Sequence, residues 1–384
     1  MKTKVLILHT SVGHGMKVTA ENIAEELRKH ESFEVRIEDA QVIERGLLEK
    51  FMVHTYSYIL EDLPGLWGFL YNSRFINFLA LRSRWPLAAM RHKRILKLLR
   101  EFQPAIVIST ETIPSGIVAY LKYKGLYRGK LVVAFSDYHL HPFWLYREAD
   151  LYLCNIAQQA DELQKLGFPK EKIAVVGATV SQKFLKDISK ESARGQLGLL
   201  VTMPVVLITS GSLVRMTVKE VFLHLLRSIR SYQLVVLCGT NEKLKAELEN
   251  ISPPAHHPVK IYGYINNMEV FMSASDVLVG KTGGPTMVEA VIKRVPMIIT
   301  DVRPGHELKN LEFLLNHHVV EFSRNKQEAA FLVEQVLSGK RWNFTQAYNA
   351  IISPKNSKSL LEALAIVTPS DTGIKVQNYQ EKLA

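Results

Sequence analysis

The sequence is poor in several things at once. It has two cysteines, Cys154 and Cys238, in 384 residues. They stand far apart in apolar settings and form no CxxC, which is the usage of reduced thiols in a cytosolic protein. Long apolar runs are missing. Lys2 and Lys4 precede only the short run Val5–Leu8, with no small-residue cleavage site, so no secretory signal is expected. The uncharged stretch Gly195 to Val214 is long enough to span a bilayer. Pro204 and the polar Thr209-Ser210-Gly211-Ser212 make it a linker followed by a short strand instead. No repeat of solenoid period is present.

Several signature motifs are incomplete. "HTSVGHGMKVTAENIA", residues 9–24, follows the first apolar run and supplies Gly13 and Gly15 of a dinucleotide fingerprint. The third glycine position is Val18, which removes the close helix–strand approach that glycine allows. An acid does close the next strand, at Glu38 and Asp39, and keeps a nicotinamide enzyme as a weaker alternative. Gly280-Lys281-Thr282 imitates a phosphate loop, but Ser275 stands where that loop needs its first glycine. No DxD motif of metal-dependent sugar transferases is found. His139 and His141 could form a metal pair, yet no third ligand is evident.

Acidic residues are absent from one long interval, Leu63 to Arg100. The same interval holds Arg74, Arg82, Arg84, Arg91, Lys93, Arg94, Lys97 and Arg100 among many large apolar side chains. It therefore concentrates a formal net charge that is +11 overall. Basic residues interleaved with aromatic and aliphatic ones suit an anionic membrane surface, at about 1 kcal/mol per basic residue. A solvated helix face over ordinary core is the plainer reading. Nucleic acid would also attract the charge, but no binding module directs it there.

What is abundant is a rhythm of short apolar runs and helical patterns. Val5–Leu8, Val35–Ile37, Ala105–Ile108, Leu131–Phe135, Leu151–Cys154 and Ile173–Val176 read as strands of a first half. Val205–Ile208, Leu234–Leu237, Val259–Ile261, Val277–Val279, Met297–Ile299 and Val319–Phe322 read as strands of a second. The alternation predicts an α/β protein of two Rossmann-like doubly wound domains facing an interdomain cleft. The expected boundaries are 1–180, a linker at 181–202, 203–350, and a C-terminal helix and flexible tail at 351–384. Ligands of such sheets bind outside the carboxyl ends of the strands.

The most specific stretch is "SASDVLVGKTGGPTMVEAVIKRVPMIIT", Ser273 to Thr300. A strand ends in Lys281-Thr282-Gly283-Gly284, and Pro285 suits the first turn of a helix. Bare amides at that helix start can accept a diphosphate. Glu289, one turn in, can accept hydrogen bonds from two adjacent hydroxyls, as a ribose offers. The plainer reading is a strand–turn–helix with a solvated glutamate.

This stretch resembles the nucleotide-binding segment of inverting glycosyltransferases of the GT-B type. It is most similar to the monogalactosyldiacylglycerol synthases and processive diacylglycerol glucosyltransferases, and more distantly to the peptidoglycan N-acetylglucosaminyltransferase. The resemblance runs from Val5 to about Phe322. "VVLCGTNEKLKAEL" (235–248), "IYGYINNMEVFMSASD" (261–276), "PGHELKN" (304–310) and "FSDYHLHPFW" (135–144) each look like a family segment. The resemblance implies a UDP-sugar donor, UDP-glucose or UDP-galactose, held by the second domain without a metal or other cofactor. It implies Glu289 on the ribose and Gly283, Gly284 and Thr286 on the diphosphate, with Lys281 and Gly211 beside them. Gly263, Tyr264 and Ile265 would line the base, with Asn241 on the neighbouring loop. His306, Glu307 and Asn310 would face the sugar.

It further implies a diacylglycerol-like acceptor reached through the first domain, with 63–100 docked on an anionic membrane and the enzyme peripheral to the inner face of the cell membrane. The alternatives are a non-catalytic UDP-sugar or lipid-binding protein of the same fold and a UDP-sugar epimerase. Two positions depart from the family pattern. His306 replaces a glutamine of the sugar loop, which leaves the donor sugar open. Met16 replaces the histidine that follows the second glycine, and it cannot take a proton. Asp137, His14 and His141 are then the candidate bases.

Overall fold

The computed structural model describes residues 2–10, 14–40, 55, 58–59, 63–210 and 216–368. Two compact units emerge, one from 1–179 and 350–384, the other from 180–349.

The first unit is built on a parallel sheet of six strands. These are β1 (Thr3–His9), β2 (Phe33–Asp39), β3 (Ile106–Ser109), β4 (Lys130–Ala134), β5 (Leu151–Cys154) and β6 (Ile173–Val175), in the order β2-β1-β3-β4-β5-β6. Strands buried on both faces need apolar residues at every position. Val5, Leu6, Ile7 and Leu8 are all fully buried. Leu6 and Leu8 join the core that contains Ile95, Leu99 and Ile117. Val5 and Ile7 join the opposite core, with Ile23, Leu27, Leu360 and Leu364. Period-two alternation thus assigns neighbouring residues to different layers.

The second unit repeats the plan with β7 (Val205–Thr209), β8 (Gln233–Leu237), β9 (Val259–Tyr262), β10 (Val277–Lys281), β11 (Met297–Asp301) and β12 (Val320–Phe322), in the order β12-β11-β10-β7-β8-β9. Every pairing in both sheets is parallel. The direction of crossover reverses between β1 and β3, and again between β7 and β10. These are the two topological switch points, where open sheets leave a crevice at the strand ends.

Two expectations about organisation need correction. Residues 181–202 do not form a free linker. They include helices Gln182–Leu185 and Lys190–Gln196 within the second unit. Arg194 is buried and donates to Asp276 (2.5 Å) and the Ala274 carbonyl (3.0 Å), which holds this segment against β10. The C-terminal piece is not a separate region either. Its helix Leu360–Ala365 completes the core over β1. A capping box of Ser359 and Glu362 starts that helix. The chain therefore crosses between units twice, and the returning segment is pinned where it re-enters. The Ala178 N–H donates to the Ile351 carbonyl (2.7 Å), and Asn22 Nδ2 donates to the Thr179 carbonyl (3.1 Å).

The basic interval forms two helices, Pro64–Asn72 and Arg74–Phe102. Ser73 caps the second by accepting from the Ile76 N–H (3.4 Å). At about 1.5 Å per residue this helix is about 43 Å long, longer than the layer it covers. Ala88, Ile95, Leu96, Leu98, Leu99 and Phe102 are buried in the core. Upstream of Ala88, Phe75 (67% exposed), Phe78 and Leu79 stand in the open, as does Phe69 (66%) on the preceding helix. No helix among the described residues is long and apolar enough to cross a membrane.

Gly177 adopts φ +77°, and a Cβ there would lie 2.4 Å from the Ile352 carbonyl oxygen. Gly177→Ala is expected to lower stability by roughly 1–3 kcal/mol, since both the left-handed backbone and the backbone contact oppose it. Urea unfolding at unchanged slope checks this; a midpoint equal to wild type would refute it.

Candidate functional site

In a parallel sheet all carboxyl ends lie on one edge, so residues scattered in sequence gather there. In the second unit this edge collects Cys238–Asn241 after β8, Gly263–Ile265 after β9, Lys281–Thr286 from the end of β10, and 302–310 after β11. These segments carry the donor-site residues expected from sequence, apart from Glu289, which lies further along the helix after β10, and Gly211, which lies outside the described residues.

The centre of that edge is the β10 turn. Gly280 is required there, because a Cβ would stand 2.5 Å from Thr209 Oγ1 on β7. The register then shifts between Gly280 and Lys281. Helix Gly284–Ile292 follows, with Gly283 at its N-cap and no side-chain cap. Pro285 has no amide, so the Gly284 and Thr286 N–H groups are the donors of the open first turn. Such a terminus favours an anion by about 0.3–1 kcal/mol at an exposed site.

Glu289 sits half-buried on the same helix. Burial pushes its carboxyl up to about 7, and the neighbouring Glu269 pushes the same way, while Lys183 opposes both. Lys183 itself is held at 3.4 Å from Glu269 and donates to the Asn266 carbonyl (2.8 Å). Lys183 and Glu269 were not flagged by sequence. They lie 86 residues apart, and only the fold brings them to one carboxylate.

The segment after β11 is ordered by Glu307. This buried carboxylate accepts from the Arg303 N–H (3.1 Å), the Thr282 hydroxyl (3.4 Å) and Lys281 Nζ (3.4 Å). It thereby joins the β10 turn to the start of helix His306–Asn316. Gly305, at φ +98°, turns the chain into that helix. Asn310 is buried one turn on, and His306 is half-buried at the first helical position. Asn241 takes a different role. Its Oδ1 accepts from the Leu244 N–H (3.1 Å) as the cap of helix Glu242–Glu249. Tyr264 projects from the β9 end and is 71% exposed, with Gly263 and Ile265 beside it.

In the first unit the corresponding edge gathers the ends of β1, β3, β4 and β5. His14 opens helix His14–Arg28; its side chain lies outside what is described. Met16 is half-buried in the same turn, and its carbonyl accepts from the Thr110 hydroxyl (2.9 Å) after β3. Asp137 follows β4. Its carbonyl accepts from Asn155 Nδ2 (3.2 Å) and Gln159 Nε2 (2.8 Å), both buried. Gln159 also accepts from the Asn155 N–H (2.8 Å). This clamp escaped the sequence reading, although a polar Asn straight after "LYLC", with Gln one helical turn on, was a visible signal.

His141 has backbone groups at both ring nitrogens. Its Nδ1 accepts from the Phe143 N–H (3.4 Å), and its Nε2 is 3.3 Å from the Tyr71 carbonyl. With Nδ1 accepting, Nε2 is the nitrogen that donates to the carbonyl. His139 Nε2 meets the Tyr71 hydroxyl. The two histidines therefore share Tyr71 rather than converging on a metal position. Another group the sequence reading passed over is Glu111, buried at the end of β3. It caps helix Thr112–Tyr123 by accepting from the Ile113 N–H (2.7 Å) and the Thr112 hydroxyl (2.8 Å). Burial raises its carboxyl above the usual range despite those bonds.

Known proteins resemble the two units separately and the chain as a whole. Residues 17–180 match the family model described as monogalactosyldiacylglycerol (MGDG) synthase. Residues 205–361 match the glycosyltransferase family 28 C-terminal domain. Monogalactosyldiacylglycerol synthase 3 of Arabidopsis thaliana is 27% identical over 88% of this chain and 75% of its own. The processive diacylglycerol beta-glucosyltransferase of Staphylococcus saprophyticus is 28% identical over 56% of this chain and 55% of its own. The fold is shared with MurG of Acinetobacter baumannii, at TM-score 0.56 and 11% identity, covering 95% and 98% of the two chains. It is shared equally with a UDP-GlcNAc 2-epimerase of Neisseria meningitidis, at TM-score 0.55 and 14% identity, again covering 95% and 98%.

A capping role for Asn241 has its own signature. Asn241→Ala should lower stability by about 1 kcal/mol and leave the affinity for UDP unchanged. Chemical denaturation and calorimetric titration separate the two, and a loss of UDP affinity at unchanged stability would make it a ligand residue instead.

Proposed function

Since the chain belongs to the family of monogalactosyldiacylglycerol synthases and diacylglycerol glucosyltransferases, we propose that it transfers a hexose from a UDP-sugar to diacylglycerol with inversion at the anomeric carbon. The observation that carries the donor half is the uncapped helix start at the second sheet's switch point, flanked by Lys281 and followed by Glu289. Amides of Gly284 and Thr286 would take the diphosphate, and Glu289 the ribose hydroxyls. Stabilisation of the departing UDP by fixed dipoles and a lysine requires no metal. His306, with Glu307 holding its loop, would face the hexose.

The acceptor half rests on Asp137. Its backbone is fixed by Asn155 and Gln159, so its carboxylate is delivered from a rigid position at the strand-end edge. A base there would draw the proton from the lipid hydroxyl as that oxygen attacks, and UDP leaves with the bonding electrons. His14 is the second candidate. The lipid-facing region is 63–100, an interval without acidic residues in which exposed Phe69, Phe75, Phe78 and Leu79 stand among basic ones. That composition fits an anionic bilayer surface. Arg84 is excluded from this contact, because it packs on Trp85 and Tyr146 and donates to the Leu145 carbonyl (3.0 Å).

Incubation with UDP-glucose or UDP-galactose and diacylglycerol in anionic vesicles should release UDP and yield a glycolipid whose mass identifies the sugar. UDP binding with no turnover on any donor would leave a binding protein and sink the transferase reading. Asp137→Asn should cost at least about a hundredfold in turnover with donor affinity unchanged. If His14→Gln shows that loss and Asp137→Asn does not, the base is His14.

Glu289 makes donor binding pH-dependent. Ionised, it accepts from the ribose hydroxyls; UDP-glucose is a phosphodiester and keeps its charge near neutrality. Affinity should weaken as pH falls through about 7, and Glu289→Gln should bind more weakly with no such dependence. The ligand-free protein shows the opposite sign. A carboxyl raised from 4.5 to about 7 contributes stability that is fully present below 4.5 and lost as pH rises through about 7. Calorimetry across that interval measures both, and a flat wild-type profile would remove Glu289 from the donor site.

A further inference from the structure

The loop 135–144 after β4 carries Asp137 and is held at two ends by quite different groups. At Asp137 the partners are Asn155 and Gln159, buried in the unit's own core. At His139 and His141 the contact is with Tyr71, which comes from helix Pro64–Asn72 and lies 68 and 70 residues earlier in the sequence. The Tyr71 hydroxyl meets His139 Nε2. The Tyr71 carbonyl lies 3.3 Å from His141 Nε2, and its ring stands 4.3 Å from the His141 ring, centroid to centroid. Trp67, one turn back, packs on Tyr71 at 5.8 Å. Asn77 Nδ2 donates to the Tyr71 carbonyl (3.0 Å), which ties this junction to the next helix as well.

Helix Pro64–Asn72 has two unlike faces. Trp67 and Tyr71 turn toward the histidines, while Leu66 and Phe69 are exposed. It carries no charged residue. A nine-residue helix of this kind is marginal unless another surface covers it.

We propose that Tyr71 is a positioning residue that latches the acceptor-side loop to the lipid-facing helix, so that the loop reaches its working form when that helix lies on a bilayer. This rests on the membrane reading of 63–100 given above. The bilayer covers Leu66 and Phe69 and orders the helix. Tyr71 passes that order to His139 and His141, and the loop then presents Asp137 from both of its anchors. Tyr71 reaches His141 by ring and backbone contacts, and reaches His139 by its hydroxyl as well as edge-on by its ring, so the hydroxyl can be removed while the rings stay.

The test compares wild type with Tyr71→Phe, which keeps the ring and removes the hydroxyl. Vesicles of phosphatidylcholine and phosphatidylglycerol, with and without diacylglycerol, serve as the surface. Wild type should show slower amide exchange at 137–144 when vesicles are added. Tyr71→Phe should bind the vesicles equally well, show a smaller slowing in that loop, and turn over roughly three- to tenfold more slowly, the range of one net hydrogen bond, at unchanged KM for UDP-glucose. Tyr71→Phe and His139→Ala should not add when combined. Vesicle-induced slowing equal to wild type in Tyr71→Phe would overturn the latch, as would additive losses. A wild type that transfers no sugar would defeat the proposed function instead, and the exchange comparison would still decide whether the latch exists.

Discussion

A parallel strand has no edge it can leave to water along its faces, and this constraint organises the whole chain. Runs such as Val5–Leu8 and Val205–Ile208 must be covered on both sides. Each strand is therefore followed by a crossover that packs back onto the sheet. All carboxyl ends then fall on one edge, and the crossovers reverse direction once in each sheet. The chemistry has little choice of location. Glu307 meets Lys281 and Thr282 because β10 and β11 are neighbours with their ends aligned, not because the sequence places them together.

The two edges use this opportunity differently. In the second unit the polar groups come from backbone and from strand-end side chains: bare amides at Gly284 and Thr286, and Glu307 as a tie between turns. Positive character there is partly a property of the helix end, so it survives with few lysines. In the first unit the candidate base is attached to a loop whose carbonyls are clamped by Asn155 and Gln159. Buried amide side chains are costly unless fully bonded. Here their donors go to Asp137 and Phe135 carbonyls and the Gln159 acceptor goes to the Asn155 N–H. The cost of burying them is offset while they hold the loop.

How much of this was legible follows from the range of each interaction. Strands were readable because a run such as Leu131–Phe135 is its own signal, and each of the twelve appears where the apolar run predicts it. The donor turn was readable because glycine, proline and the strand end lie within six residues. The Glu289 environment was not, since Lys183 and Glu269 arrive from other elements. The return of residues 350–368 to the first unit was also hidden. Leu360 and Leu364 look like any amphipathic helix face until Val5 and Ile7 are seen to lack cover on that side. Asn241 shows how one residue can carry two readings. Its place in a family-like segment suggested a ligand, while the local physics of an asparagine before Glu242 makes it a helix cap.

Met16 and the histidines illustrate why identity of residue and identity of role diverge. A histidine directly after the second glycine is useful as a base only if the turn aims it at an acceptor oxygen. Here the start of helix His14–Arg28 is tied through its backbone, by Thr110 donating to the Met16 carbonyl, and that bond is indifferent to the side chain. The turn can therefore keep its form while the proton-accepting group is lost from it. The charge requirement does not vanish with the histidine, because an attacking hydroxyl still has to give up its proton. In the proposed reaction Asp137 would meet it from the adjoining β4 end, with a group that needs no tautomer to be set. His141, whose ring nitrogens both face backbone groups, is then free to hold the loop in place.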